Sequence, residues 1–532
     1  MRVIKGSVDF YRLYGNILLL SAFIAISCQL SATPKVAVKI AEYPKGLMFM
    51  CPQGGVWNFG DKTGTIGTKD KCQVSGILNE KAQKRFHVMV ESVPMRESDK
   101  VSQAIEKWKA SGRPVHTHQV GKQSFGPDGK TVVYDGRVVY IGVGVFLEQT
   151  PAQNLVDELA AQTLSSWIFE EIIKPAEGLL TVSLNGQVIA EGKSRFRLEP
   201  RETLKLLKVE FAKGYSWHGF ADRTFRGPLI IRWGAQDALD CILETDLESI
   251  LAGVVPSEIS SKAGVEAIRA QSVAARGEIL SKMGLRHIGE GFDFCSEQHC
   301  QVYAGETSET LSMAELMAPT QGLVLESPDG GIVDAVYSAN CGGHGEANHL
   351  VWTSPPDTQL CGVWDTPKPL NLDLSKEADT TDFIRNPPRC YCQDPTVEGG
   401  DKFRWRKSIS GKEWKEVEKN AGVGRIKDVN GFARGVSGRL YRLTIVGEQG
   451  SKTLMKELNI RKLFGGLRSA CFIAAWKRDA SGFIIGAQIE GAGWGHGVGM
   501  CQTGAQSMAK LGMAFEPILL HYFPGSRLSK FY

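Results

Sequence analysis

Past its first thirty residues the chain has no run apolar for long enough to cross a bilayer, which takes about 20 such residues. Membrane-spanning helices are therefore excluded from the body of the chain. A surplus of one charge is also missing, with 62 Lys and Arg against 58 Asp and Glu. The net charge of +4 falls short of the concentrated basic face that nucleic acid requires, so no nucleic acid partner is expected. At most it gives a mild attraction to an anionic wall. No internal repeat or low-complexity tract is visible. The glycine-rich run near the C-terminus lacks the Lys-Ser or Lys-Thr of a P-loop, and its strict alternation differs from the dinucleotide fingerprint, which sets aside a nucleotide loop.

What is present is an ordinary globular composition, 42% hydrophobic and 23% charged, over 532 residues, a length that implies two to four domains. Arg2, Lys5 and Arg12 precede the apolar run Ile17 to Ile26, the pattern of a secretory signal. Residues 1–32 are read as that signal, with cleavage after Ala32, lipidation at Cys28 as a lipoprotein anchor, or retention as a membrane anchor left open. Each reading puts the bulk of the chain outside the cytoplasm, in the periplasm or cell envelope. Twelve cysteines in an exported chain permit disulfides, and Cys51 with Cys72, Cys341 with Cys361, and Cys390 near Cys392 are the structural candidates.

The fold class expected is multi-domain α+β. After a cysteine-containing segment, 33–80, the stretch 81–175 reads strand, helix, strand, helix, a small sheet with helices on one face. Residues 176–223 read as β-rich, with Asn185-Gly186 a strong hairpin signal because both residues tolerate positive φ. A larger domain, 224–532, follows. In it a helix is expected to end near Gly253, Pro256 to enforce a turn, and a second helix to run from about Gly264 to Met283. Glu258 then sits at the junction. Flanked by Val254, Val255 and Ile259, its carboxyl group can be partly desolvated, which raises the pKa and keeps a proton available for a leaving oxygen. The alternative is a glutamate that caps the next turn or pairs with an arginine. Arg269 and Arg276, seven apart, project from roughly one helix face.

Two further clusters carry chemistry. Cys295 and Cys300 with His287 can fill three of the four positions of a tetrahedral zinc site of structural type, or the two cysteines can form a disulfide. In Gly491-Ala492-Gly493-Trp494-Gly495-His496-Gly497-Val498-Gly499, an extended backbone would put every glycine on one face and Trp494, His496 and Val498 on the other. Such a bare face admits a sugar ring or a second strand, with Gln502 and Thr503 as hydrogen-bonding groups beside it. A tightly packed core strand is the alternative.

Several separated motifs resemble the SpoIID/LytB family (stage II sporulation protein D and amidase enhancer). They are Val255-Pro256-Ser257-Glu258-Ile259, Glu266 to Arg276, Tyr337 to Gly343, Val436 to Arg439, Leu467 to Phe472 and the glycine run, in order over about Thr224 to Tyr532. The resemblance implies a peptidoglycan lytic transglycosylase acting on glycan stripped of stem peptides and leaving 1,6-anhydro-muramic ends, with Glu258 as acid/base. Arg276 would orient that carboxylate or hold substrate, and Trp494, His496 and Gln502 would line the glycan cleft. It also implies a metal at the loop holding His287, Cys295 and Cys300, and, through the amidase-enhancer members, a wall-binding activator of a separate amidase as the rival role. Ordinary hydrolysis is a closer rival, with Glu244, Asp246 or Asp293 as second carboxylate. The family's usual Thr-Tyr after the helix arginine is here Gly277-Glu278. Within 81–175, Tyr140 to Phe146 and the helix after Thr150-Pro151 resemble the SPOR fold, whose members bind stripped glycan strands.

Overall fold

A computed structural model of the chain describes residues 33–125, 132–213, 218–297 and 300–532. The signal segment and Cys28 lie outside these residues. Two mostly antiparallel sheets form the body. One orders seven strands as Phe294–Cys295, Lys35–Tyr43, Leu239–Asp246, Leu229–Trp233, Phe196–Pro200, Gly55–Phe59 and Lys62–Ile66. The other orders six as Gln187–Gly192, Glu177–Leu184, Lys71–Glu80, Gly46–Met50, Thr203–Phe211 and Gly219–Arg226. Alternation along these strands points Val36, Val38 and Ile40 from the first sheet, and Leu180 and Val182 from the second, into one shared core. Phe49 and Phe196 meet across it at 5.9 Å.

This interweaving corrects the expected boundaries. Segment 33–80 is not separate and 224 is not a domain edge, because Lys35–Tyr43 pairs along its length with Leu239–Asp246. Pairing between strands some 200 residues apart leaves no local mark in a sequence. The Asn185-Gly186 turn does form, with φ of 51° and 86°, and joins Glu177–Leu184 to Gln187–Gly192.

Residues 83–174 form a distinct module inserted between Lys71–Glu80 and Glu177–Leu184, which pair with each other across its base. Its sheet orders Trp167–Lys174, Gln83–Pro94, Val138–Phe146 and His116–Val120. Helices Ser98–Lys109 and Gln149–Ala161 pack against it through Ala104, Trp108, Ala152 and Leu159. This is the split β-α-β-β-α-β arrangement, two strands richer than the sequence pattern.

Helix Leu247–Glu258 and helix Val265–Lys282 lie on the body. The first contributes Leu247, Ile250, Leu251, Val254 and Val255 to the main core. The second is buried on both sides: Ala267, Ile268 and Ala275 face that core, while Ala270, Val273 and Ala274 face a second one made with the C-terminal helices Gln502–Lys510 and Phe515–Tyr522. Small side chains are what let it be packed from both directions. A Cβ at Gly277 would press on the Val333 carbonyl and the Ala335 methyl. Between these elements lies a further unit with its own core of Trp405, Trp414, Ile445, Phe464 and Phe472. Its two three-stranded sheets run over 404–492 and 426–455.

Candidate functional site

Pro256 does not end its helix. The helix runs on to Glu258, with Pro256 inside its last turn, and the Ser257 hydroxyl donates to the Gly253 carbonyl at 3.0 Å. Asp246 caps the other end, accepting from the Ser249 backbone N–H at 2.9 Å and from its hydroxyl. Glu258 is thus the last helical residue, where the partial negative charge of the helix C-terminus opposes ionisation of a carboxyl group.

The Glu258 side chain is recessed. Its Oε1 accepts one weak hydrogen bond from the Val302 N–H at 3.4 Å, and no ion pair reaches it among the described residues. Burial first, and the nearby Glu278 carboxylate second, push its pKa up to about 7, against the small opposing effect of the Val302 N–H. Glu278 is itself held by Lys282 at 2.8 Å and Gln301 Nε2 at 3.0 Å. Tyr337 is buried close by, its phenol pushed well above its ordinary range by burial and by the charges of Glu258 and Glu278. Among the described residues the buried Ser338 Oγ and Gln301 Oε1 have no hydrogen-bond partner, while the Tyr337 phenol has the Gln271 side chain beside it. Orphaned buried polar groups are costly, and these lie near a carboxyl group poised between its two protonation states at neutral pH.

Neither arginine serves this acid. Arg276 is fully buried, its guanidinium bound to Glu248 at 2.9 and 2.8 Å and to the Leu323 carbonyl at 2.9 Å. It has no face left for substrate and does not orient Glu258, so the role given to it by resemblance is corrected. Arg269 pairs with Glu266 at 2.6 Å. The three carboxylates considered as hydrolytic partners are occupied too: Glu244 pairs with Arg197, Asp246 is the helix cap, and Asp293 holds the Ala37 N–H and Lys122. Glu278, at the position where the motif departs from its usual Thr-Tyr, is the carboxylate that faces Glu258. Sequence offered that departure as its only signal.

The glycine run is not an extended strand. Only its first two residues, Gly491 and Ala492, belong to the strand Ile484–Ala492, and Gly493, Gly495, Gly497 and Gly499 take φ of 75°, 99°, 80° and 71°, a left-handed backbone open to glycine alone at little cost. Their bare sides are filled by protein: a Cβ at Gly493 would strike the Asn340 carbonyl, at Gly497 the Arg439 guanidinium, at Gly499 the Val336 carbonyl. No sugar can lie there. What the ribbon presents outward is Trp494, 38% exposed, with Arg468 at 4.7 Å and Lys402 at 5.1 Å from its ring.

His496 packs against Trp352, ring centroids 5.0 Å apart. Its Nδ1 accepts from the Val498 N–H, and burial, then the Arg439 charge, lowers its pKa to about 3. Gln502 is buried and donates to the Glu258 carbonyl at 2.9 Å and to Gln271 Oε1 at 3.3 Å, so it positions the acid instead of meeting sugar. Thr503 is likewise spent on the Ala339 carbonyl. The ribbon and the acid border one short strand, Tyr337–Ser338, which pairs in parallel with Met500–Cys501, while Asn340 exchanges backbone hydrogen bonds with Trp494.

His287, Cys295 and Cys300 come together, their ligand atoms all within 4.8 Å of one another. His287 holds a φ of 52°, uncommon for a non-glycine residue, which aims Nε2 at Cys300 Sγ, 3.3 Å away, while Nδ1 meets Glu290 at 2.9 Å. Two thiols, an imidazole and a carboxylate behind the imidazole are a donor set that fits zinc. A cavity of about 750 Å³ lies beside this loop, lined in part by Tyr140, Trp167 and Phe169 of the inserted module.

Residues 235–326 match the family model described as stage II sporulation protein, and residues 346–499 match one described as a domain of unknown function (DUF8618). The amidase enhancer of Bacillus subtilis (strain 168) is 28% identical over 298 residues, 53% of this chain and 40% of that protein. The stage II sporulation protein D of the same organism is 26% identical over 305 residues, 53% of this chain and 74% of that protein. An uncharacterized protein of Brachyspira hyodysenteriae is 25% identical over 290 residues, 54% of this chain and 68% of it. The chain thus spans well under half the length of the amidase enhancer it matches. Residues 235–326 thus form a domain similar to stage II sporulation protein, and about half of the chain is similar to stage II sporulation protein D and the amidase enhancer.

Proposed function

We propose that this protein is an exported cell-envelope enzyme that cleaves the peptidoglycan glycan strand by the lytic transglycosylase reaction, with Glu258 as its acid and base. The observation that carries this reading is a recessed carboxyl group at a helix end with a pKa of about 7, raised by burial and by Glu278. A group poised near neutrality both gives and takes a proton efficiently. Glu258 protonates the oxygen linking muramic acid to glucosamine. The resulting carboxylate then takes the proton of the muramic C6 hydroxyl, whose oxygen attacks C1 of the same sugar. The glucosamine leaves as an alcohol and a 1,6-anhydro end forms. The nucleophile belongs to the substrate, so no second ionised carboxylate is needed at retaining-enzyme distance.

Trp494 with Arg468 and Lys402 supports a substrate already stripped of stem peptides. Removing the peptide exposes the lactyl carboxylate of muramic acid, an anion that two cations beside an aromatic plate can hold. A structural zinc on His287, Cys295 and Cys300 would brace the loop that supplies the Val302 N–H. The module 83–174, with its aromatic-lined cavity, would add a second hold on the strand.

Mass analysis of products from stripped glycan tests the reaction. Anhydro-muramic ends from the native protein, and none from Glu258→Gln, are expected; reducing muramic ends would instead identify a hydrolase. The likeness to a protein named amidase enhancer favours one second reading, a non-catalytic activator. Stimulation of an added cell-wall amidase with no glycan cleavage of its own would select it.

A further inference from the structure

The segment 346–499 leaves the body of the chain just after Cys341 and rejoins it just before Cys501. These two cysteines meet two residues from inside the segment. The ligand atoms of Cys341, Asp365, Cys392 and Cys501 all lie within 4.8 Å of one another and all four residues are buried. Cys361, the partner expected for Cys341, is exposed and elsewhere, its Sγ on the Gly362 carbonyl.

The geometry separates the options. Cys341 Sγ and Cys392 Sγ are 3.7 Å apart, far beyond a disulfide bond of about 2.05 Å. It is close to the ~3.8 Å that separates two sulfurs each about 2.3 Å from a tetrahedral zinc. The surroundings treat the sulfurs as acceptors. The Cys341 N–H donates to Cys501 Sγ at 3.2 Å, the Gly343 N–H to Cys341 Sγ at 3.4 Å, and the Gly504 N–H to Cys501 Sγ at 3.4 Å. The last of these makes Cys501 the cap of helix Gln502–Lys510, a terminus that favours negative charge.

Asp365 is fixed in the same way. One oxygen accepts from the Cys392 N–H at 2.7 Å and the other from the Tyr522 hydroxyl at 2.6 Å, leaving each a lone pair for a cation. Two guanidinium groups hold the first loop of the cluster, the half-buried Arg404 on the Gly342 carbonyl at 2.9 Å and the buried Arg439 on the Cys341 carbonyl at 3.0 Å. Four acidic donors shut away from water, with N–H or O–H groups turned onto Cys341, Cys501 and Asp365, call for a cation among them. Three soft sulfurs and one carboxylate select zinc.

We propose that Cys341, Asp365, Cys392 and Cys501 hold a structural zinc ion, separate from the His287 loop, that fastens the 346–499 segment to the body of the enzyme. With four protein ligands and no solvent access it has no open position for catalysis. Its reach into the active site is indirect: Cys501 precedes Gln502, whose amide holds the Glu258 carbonyl.

The test uses the full-length chain and the Cys295→Ser/Cys300→Ser double variant, which removes the other thiol site. Elemental analysis is expected to find one zinc per chain in the double variant. After exchange into cobalt it should show tetrahedral d–d bands with thiolate charge transfer. Adding Cys392→Ser is expected to abolish both signals. Should that variant fail to fold, the metal content and cobalt spectrum of the double variant decide alone. A metal-free double variant with a Cys341–Cys392 disulfide found by peptide mapping overturns the proposal, as does one equivalent of a metal other than zinc.

Discussion

The replacement Glu258→Gln separates chemistry from stability in a way that only a destabilised acid produces. The carboxyl group ionises near 7 in the folded protein against an ordinary value of 4.5, chiefly because of burial and secondarily because of Glu278. Carrying its negative charge in that place therefore costs ~3 kcal/mol. Because the folded value is raised, the native state binds more protons than the unfolded one between those two pH values. The penalty is absent below pH about 4.5, grows as pH rises towards 7, and is complete by about pH 8. Glutamine has the same shape and no charge, so it escapes the penalty while keeping an oxygen for the Val302 N–H. The variant should lose glycan cleavage yet gain about 2–3 kcal/mol of stability over the native protein at pH 8. That gain should shrink to nothing near pH 4. Urea denaturation followed by tryptophan fluorescence, run on both proteins across that range, reads the difference directly, since every other titrating group cancels. A gain independent of pH, or no gain at pH 8, would refute the account of a carboxyl group held where charge is unwelcome.

Other outcomes follow from the same contacts. Glu278→Gln removes the like charge beside Glu258 and leaves Lys282 to Asp334 alone, so the alkaline limb of the cleavage rate should move to lower pH while the rate at pH 5 persists. Gln502→Ala frees the Glu258 carbonyl, and a misplaced acid should lower kcat about tenfold to a hundredfold with KM little changed. Trp494→Ala, or Lys402→Ala with Arg468→Ala, should weaken pull-down of stripped glycan several-fold. For the cation pair the loss should be largest at low salt, where exposed charges are least screened.

The sequence carried the acid and lost its neighbours. Glu258 was singled out by the resemblance of the motif Val255 to Ile259, since its hydrophobic flanks alone left a capping or paired glutamate open, whereas the helix Val265–Lys282 and the Asn185-Gly186 turn followed from local sequence within a few residues. Pro256 misled: tertiary packing carries a helix through a proline when the last turn gains other partners, here the Ser257 hydroxyl. The glycine alternation was read as a strand because a period of two is the strand period. A backbone alternating between left-handed and extended residues has the same period, and only the contacts of Gly493, Gly497 and Gly499 tell them apart. Arg276 looked available from its helix face, yet its partner Glu248 and the terminal Tyr532 lie 28 and 256 residues away. Long-range pairing of this kind also hid the shared sheets and the Cys341 cluster.

The placement of the acid itself depends on such a pairing. A helix end leaves its last carbonyls without partners, and burying them unpaired is costly. Here Val255 is served by the Ile259 N–H, Gly253 by the Ser257 hydroxyl, and Glu258 by the Gln502 side chain 244 residues along the chain. Gln502 opens a helix whose cap is Cys501, and Cys501 stands on the strand pair that closes the 346–499 segment onto Tyr337–Ser338. Loosening that closure frees the Glu258 carbonyl to water, and the side chain that depends on its backbone moves with it. The closure of that segment thus helps to fix the backbone that carries the acid. Loss of the Cys341–Cys501 junction should accordingly lower cleavage and shift the alkaline limb together, as a mere loss of glycan binding would not.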